Sequence, residues 1–105
     1  MTTGTRFLKL RPGESETISF KECFFLFAAS IEPGPAAFFD STAILKIHAV
    51  QHNDKGFQVL VPLTVCRFRP EETETIRLNL KVGEGQKLTF KVTGTHAVSI
   101  TGWIQ

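Results

Sequence analysis

The sequence contains no tyrosine, and only two cysteines and one tryptophan occur among its 105 residues. Two cysteines, Cys23 and Cys66, are too few for the disulfide-dense scaffold of a small secreted protein, so we expect buried free thiols, with a single disulfide as the alternative. No apolar run approaches a membrane span, and the first ten residues lack the apolar core of a signal peptide. We therefore expect a soluble, intracellular, single-domain protein.

An excess of charge of either sign is also missing. The chain has 12 Lys and Arg against 10 Asp and Glu, a net charge of +2. This balance excludes a strongly basic nucleic-acid binder and an acidic disordered tail.

Motifs that carry catalysis are absent from the sequence. It has no nucleophile elbow, no phosphate-binding loop and no HExxH zinc motif. His48 and His52 are four residues apart in a segment of strand character, where about 13 Å would separate their rings. That distance is too long for one metal ion to be shared. The sequence predicts no catalytic residue, no metal site and no cofactor.

The dominant pattern is an alternation of apolar and polar residues, as in Thr75–Val82 and Lys87–Thr93. Alternate side chains of a strand point to opposite faces, so this pattern predicts strands with one buried face. Turn residues separate eight such segments, which indicates an all-β antiparallel sandwich or jelly roll. Tight hairpin turns are expected at 53–56 and 83–85. The predicted strands are Arg6–Leu10, Glu16–Phe20, Cys23–Ile31, Thr42–Val50, Phe57–Cys66, Thr75–Val82, Lys87–Thr93 and Ala97–Ile104.

Three of these strands are apolar on both faces: those that begin at Cys23, Phe57 and Ala97. A small sandwich has one interior, so a second apolar face must contact something else. Either the loop 32–41, with Phe38 and Phe39, covers these faces, or a neighbouring subunit does. We favour the subunit interface. The residues predicted for this interface are Phe24, Leu26, Leu60, Pro62 and Trp103.

The strand Phe57–Cys66 carries apolar residues on both of its faces. Strict alternation places Val65 on the same face as Val59 and Val61, and it places Leu60 and Pro62 on the opposite face.

An alternative to an interface is a small ligand- or glycan-binding sandwich that uses Trp103 and the loop 32–41.

Charged residues offer two weaker signals. The only acid-rich run contains Glu71, Glu72 and Glu74, and such a loop can contact a basic partner. Basic residues interleaved with an aromatic, as in the segment 67–69, can hold single-stranded nucleic acid. Four further basic residues lie on two strands that we expect to pair: Arg77, Lys81, Lys87 and Lys91. A solvated sheet face is the favoured interpretation of this second signal.

The order of the segments resembles that of nucleoplasmin-like domains. Phe7–Ser15 is similar to the opening of the family, in which a short strand runs into a Pro-Gly turn. Leu78–Gly85, Leu88–Gly94 and Val98–Trp103 resemble its closing Leu-x-Leu, Phe-x-Val-x-Gly and Gly-aromatic strands. The segment Phe57–Leu63 stands at the place of its middle hydrophobic strand. In the last strand, Ile100 replaces the leucine of the family and Ser99 replaces the histidine.

This resemblance implies an eight-stranded antiparallel jelly roll that assembles as a ring pentamer, sometimes paired into a decamer. It also implies that residues 1–105 are the N-terminal core domain of a longer nuclear or nucleolar protein, with a histone-chaperone or ribosome-assembly role. In divergent members a prolyl isomerase domain or a nucleolar phosphoprotein region follows. Because the core is not acidic, binding of histones, other basic nuclear proteins or RNA is expected through regions beyond Gln105.

Overall fold

The computed structural model describes residues 5–32, 42–70 and 72–105, and these ranges contain eight β-strands. All eight predicted strands are confirmed, with boundaries within two residues of the prediction. No helix long and apolar enough to cross a membrane occurs in the described ranges. The strands are β1 (Thr5–Leu10), β2 (Ser15–Ser19), β3 (Phe24–Ile31), β4 (Ala43–His52), β5 (Gln58–Phe68), β6 (Thr75–Val82), β7 (Lys87–Gly94) and β8 (Val98–Ile104).

The strands form two four-stranded antiparallel sheets. Sheet A has the order β1-β8-β3-β6, and sheet B has the order β2-β7-β4-β5. The chain passes repeatedly from one sheet to the other, as in a jelly roll. The predicted all-β sandwich is therefore confirmed. Its smallest dimension is 17 Å, the thickness of two packed sheets.

One of the two predicted hairpins is present. The turn between β4 and β5 is closed by Asn53, whose side-chain oxygen accepts hydrogen bonds from the backbone N–H groups of Lys55 (2.9 Å) and Phe57 (3.0 Å). Gly56 supplies the positive φ of 82° that this turn requires. The second predicted hairpin, at 83–85, is wrong, because β6 lies in sheet A and β7 in sheet B. A glycine-rich turn shows where the chain reverses but not which sheet the next strand joins.

The hydrophobic core lies between the two sheets. The strand β7 follows the predicted alternation, with every second side chain buried. Burying these side chains supplies most of the driving force for folding, at about 25 cal/mol per Å² of apolar surface. The largest fully buried side chains are Phe68, Phe90, Leu26, Leu45, Ile47, Leu88, Ile100, Val92 and Val98.

The two cysteines are free thiols, but only Cys66 is buried. Burial raises the pKa of the Cys66 thiol, and a hydrogen bond with Thr64 partly opposes this rise. Cys23 is exposed, because it precedes the first residue of β3 and lies outside the core. The expectation of two buried thiols is thus wrong for Cys23.

Candidate subunit interface

An exposed hydrophobic surface runs along β5. Among the described residues, five of the six exposed large hydrophobic side chains lie between positions 57 and 65. The strand is at the edge of sheet B, where it pairs with β4 alone. Large apolar side chains this exposed on an edge strand are typical of a protein–protein contact. The five side chains, with their exposed fractions, are Phe57 (67%), Val59 (40%), Leu60 (51%), Leu63 (40%) and Val65 (49%).

A β-bulge decides which of these side chains share a face. Pro62 lies opposite His48 and Thr64 lies opposite Ile47, so Leu63 is an extra residue without an opposite partner on β4. A bulge shifts the alternation by one position. As a consequence, Val65 points outward and not into the core. The sequence analysis placed it on the other face of the strand from Leu60 and Pro62, and this placement is wrong.

The outer face of β5 and its neighbour β4 therefore carries one aliphatic patch. Leu60 lies opposite Val50 across the two strands. Both point away from the core, on the same side as Pro62 and Val65. We call these four residues, Val50, Leu60, Pro62 and Val65, the aliphatic patch. The predicted interface residues Leu60 and Pro62 are exposed members of it.

A second apolar surface occupies the outer face of sheet A. Trp103 of β8 lies opposite Phe25 of β3, and their ring centroids are 5.1 Å apart. The ring of Phe27 is 5.5 Å from that of Trp103, and the Arg77 guanidinium lies 5.6 Å from the Phe27 ring centroid. Tilted ring pairs and a cation over a ring face are both favourable arrangements. We call Phe25, Phe27 and Trp103 the aromatic patch; all three are half-buried.

The placement of Phe24 and Leu26 corrects the sequence prediction. Leu26 has no exposed surface, and Phe24 packs against the core with its ring 5.5 Å from that of Phe20. Neither residue forms part of the outer face. Every position from Cys23 to Ala29 is apolar, so alternation alone could not decide which side chains face inward. The residues that point outward are Phe25 and Phe27, and only Trp103 was placed on this face correctly.

Gly102 allows the close approach of β3 and β8 beneath the aromatic patch. A Cβ atom at this position would lie 2.5 Å from the Phe25 carbonyl oxygen and 2.7 Å from the Phe24 ring. The first of these is a backbone atom, which cannot move aside without distorting the sheet. Glycine is therefore required here by space, next to the residue that carries the indole ring.

The predicted acidic loop is only partly described. Glu71 lies outside the described residues. Glu72 forms an exposed ion pair with Arg69, with 3.9 Å between the charged atoms. Such an exposed pair adds little stability, although it offsets the charge of this carboxylate. Glu74 is exposed, and its backbone carbonyl accepts a hydrogen bond from the N–H of Ile31.

The basic residues suggested for nucleic acid do not form the surface that the sequence suggested. Phe68 is fully buried, so it cannot stack on a base between Arg67 and Arg69. The strands β6 and β7 lie in different sheets and do not pair, which separates the four further basic residues into two sets. The favoured interpretation of a solvated sheet face agrees with this geometry.

Other kinds of site find little support in the described ranges. No three His, Cys, Asp or Glu side chains within those ranges are grouped as metal ligands. A groove of about 290 Å³ lies beside the turn between β2 and β3, but Trp103 does not line it. The loop 33–41, which the glycan-binding alternative also required, lies outside the described residues.

Comparison with known proteins decides the family. Residues 7–105 match the nucleoplasmin-like domain. This chain belongs to the nucleoplasmin-like domain family. The chain is also similar to FK506-binding protein 4 of Aspergillus fumigatus, with 42% identity over 50 residues, and to FK506-binding protein 4 of Emericella nidulans, with 42% identity over 40 residues.

These similarities cover 48% and 38% of this chain, and 10% and 8% of the two fungal proteins. The chain thus spans about a tenth of the length of the curated relatives that it matches.

Two solved structures share the fold of this nucleoplasmin-like domain. The nucleoplasmin-like N-terminal domain of Drosophila FKBP39 has a TM-score of 0.62 at 16% identity, covering 98% of this chain and 86% of that one. The Drosophila NLP core has a TM-score of 0.61 at 18% identity, covering 96% and 97%. The crystal structure of the NLP core provides insight into pentamer formation and histone binding by that protein. At these identities the likeness shows the fold alone.

Proposed function

We propose that this nucleoplasmin-like domain is a non-catalytic oligomerisation module that closes into a ring of five subunits. The observation that carries the proposal is the pair of unlike apolar patches on opposite outer faces of the sandwich. The aromatic patch lies on sheet A and the aliphatic patch on sheet B. Neither patch is covered within the described part of the subunit.

Unlike patches on opposite faces favour a head-to-tail contact. A two-fold dimer pairs one surface with itself, so it would cover one patch and leave the other exposed. A head-to-tail contact places the aromatic patch of one subunit against the aliphatic patch of the next, and it covers both in every subunit of a closed ring. The likeness to the NLP core, a protein whose structure concerns pentamer formation, supports the choice of five subunits.

The ring would present several copies of the regions that follow it. We infer that residues 1–105 are the N-terminal core of a longer nuclear protein of histone-chaperone or ribosome-assembly type, as the FK506-binding relatives suggest. Multiple weak contacts to histones or other basic proteins would then act together as one strong contact. In such a protein a prolyl isomerase domain would lie elsewhere in the chain. The nucleolar location, the two-ring decamer and RNA binding stay predictions from the resemblance.

Light scattering on a sizing column, at low and high salt, tests the ring. The expected mass is that of about five chains of 11.7 kDa, unchanged by salt, because ions screen an apolar contact weakly. The mass of a single chain at both salt concentrations would overturn the ring. The small ligand- or glycan-binding sandwich would then become the favoured function.

A further inference from the structure

The outer face of sheet B also carries a concentration of positive charge. Lys46 of β4 lies directly opposite Lys91 of β7, and both are exposed. Arg67 of β5 and Lys87 of β7 point from the same face and are exposed as well. We call these four residues, Lys46, Arg67, Lys87 and Lys91, the basic patch.

Among the described strand residues of sheet B, no acidic side chain points outward to offset this charge. The strand residues of sheet B that point outward include serines, threonines, histidines and aliphatic residues, but no aspartate or glutamate among the described ones. The basic patch contributes +4, whereas the whole chain has a net charge of +2, so all other residues together sum to −2. Like charges directly opposite on neighbouring strands are unfavourable. A bound polyanion would relieve this repulsion.

The chemistry of the face favours an acidic peptide over a nucleic acid. Single-stranded nucleic acids bind by stacking their bases on aromatic side chains as well as by charge. Among the described strand residues of sheet B, no phenylalanine or tryptophan points outward, since Phe68 and Phe90 are buried in the core, and the aromatic rings on that face are those of histidines. Hydroxyl groups lie beside the cations instead, among them those of Thr17 and Thr89, which are hydrogen-bonded to each other at 2.8 Å.

The spacing of the cations suits an extended peptide. Lys87 and Lys91 are four residues apart on one strand, which places them about 13 Å apart on the same face. In an extended acidic peptide, carboxylates four residues apart have the same spacing. We propose that the basic patch binds an extended Asp- and Glu-rich segment of a partner protein.

This site is distinct from the proposed ring contact, although the two surfaces adjoin. The aliphatic patch lies at the β5 edge, whereas three of the four cations lie on β4 and β7 toward the interior of the sheet. The proposal goes beyond ring formation and does not require it, because binding is measured per subunit.

The test is binding of a fluorescein-labelled oligoglutamate peptide, about eight residues long so that it spans Lys87 and Lys91, followed by anisotropy at low salt. In the double variant Lys46→Gln/Lys91→Gln, we expect affinity to fall about tenfold, since two charged contacts are lost. The matched control, Lys9→Gln/Lys21→Gln, removes two charges from exposed positions outside sheet B. It should stay within about twofold of the original affinity. Added salt should weaken binding to the unaltered domain.

Three results would overturn the proposal. The first is no measurable binding of the peptide to the unaltered domain. The second is an equal loss of affinity in the double variant and its control, which would indicate only a general effect of net charge. The third is tighter binding of an oligouridine of equal charge that the double variant abolishes, which would assign the patch to nucleic acid. Light scattering and thermal unfolding of each variant verify that assembly and folding are unchanged.

Discussion

The two apolar patches of the subunit differ in how much of their surface the subunit itself uses. On sheet A, Phe25, Phe27 and Trp103 lie on the central strands β3 and β8 and are half-buried, and both phenylalanine rings contact the indole ring of Trp103. On sheet B, Leu60 and Val65 lie on an edge strand and are about half exposed. The aromatic patch therefore contributes to the stability of the subunit as well as to assembly. A larger share of the aliphatic patch is available for a neighbour, so substitutions in the two patches should separate folding from association.

The largest expected effect is the loss of assembly in Leu60→Glu. In the isolated subunit the glutamate would remain in water, because the Leu60 side chain is 51% exposed. Buried in a subunit contact without a partner, the charge would cost about 3–5 kcal/mol. We expect folded single subunits by light scattering, with an unchanged circular dichroism spectrum.

Ile104→Glu is the matched control for this variant. Ile104 is 50% exposed but lies outside both patches, at the end of β8. The variant should assemble normally. Unfolding of Leu60→Glu, or full assembly of it, would show that the aliphatic patch is assigned wrongly.

Gly102→Ala should cause the largest loss of stability of the subunit itself. The added methyl group would collide with the Phe25 carbonyl and the Phe24 ring, and overpacking of this kind costs about 1–3 kcal/mol. Gly83→Ala is the control, because a Cβ there meets only the Gln86 side chain at 3.8 Å. Urea unfolding measures both. Equal stability of the two variants would contradict the close approach of β3 and β8.

Alanine substitutions compare the two patches directly. Trp103→Ala removes two aromatic contacts and should lower the free energy of unfolding by about 1–2 kcal/mol in addition to weakening assembly. Leu60→Ala should weaken assembly while changing subunit stability by less than about 0.5 kcal/mol. Chemical denaturation is measured in a Val65→Glu background, where the charge on the aliphatic patch should keep both proteins as single subunits. A similar loss of stability in both variants would remove the distinction between the patches.

The smallest expected effect concerns the inward face of β5. Burial raises the pKa of the Cys66 thiol above its ordinary value of 9.0, so the unfolded chain releases this proton at a lower pH than the folded one. The contribution to stability is complete below about pH 9 and declines as the pH rises further. The melting temperature should fall more steeply above this pH for the original sequence than for Cys66→Ala. Parallel curves for the two proteins would contradict the effect.

The sequence predicts the strands well because alternation is a local signal. Lys87–Gly94, with its regular exchange of polar and apolar residues, forms a strand whose buried face is the one expected. The family followed from the order of several such segments along the chain. Trp103 was assigned to an outer face for the same reason, since Val98 and Ile100 fix the inward side of β8.

Alternation fails where the local pattern is ambiguous or interrupted. In β3, apolar residues occupy both faces, so Leu26 and Phe27 could not be told apart. In β5, the extra residue Leu63 reverses the orientation of Val65. The preceding Pro62 is a local signal of an edge strand or a bulge, but strict alternation does not take it into account. The basic patch was missed because Lys46 and Lys91 are 45 positions apart and meet only through the β4–β7 pairing, whereas the sequence suggested pairing of β6 with β7.

Mixing two assembly-defective variants tests the head-to-tail ring most directly. Leu60→Glu retains the aromatic patch, and Trp103→Glu retains the aliphatic patch, so each alone should be a single folded subunit. Combined in equal amounts, they should form a complex of two chains, because one intact pair of patches remains between them. Light scattering should therefore show twice the mass of one chain in the mixture and the mass of one chain for each variant alone. A mixture that contains only single chains would contradict the pairing of the aromatic patch with the aliphatic patch.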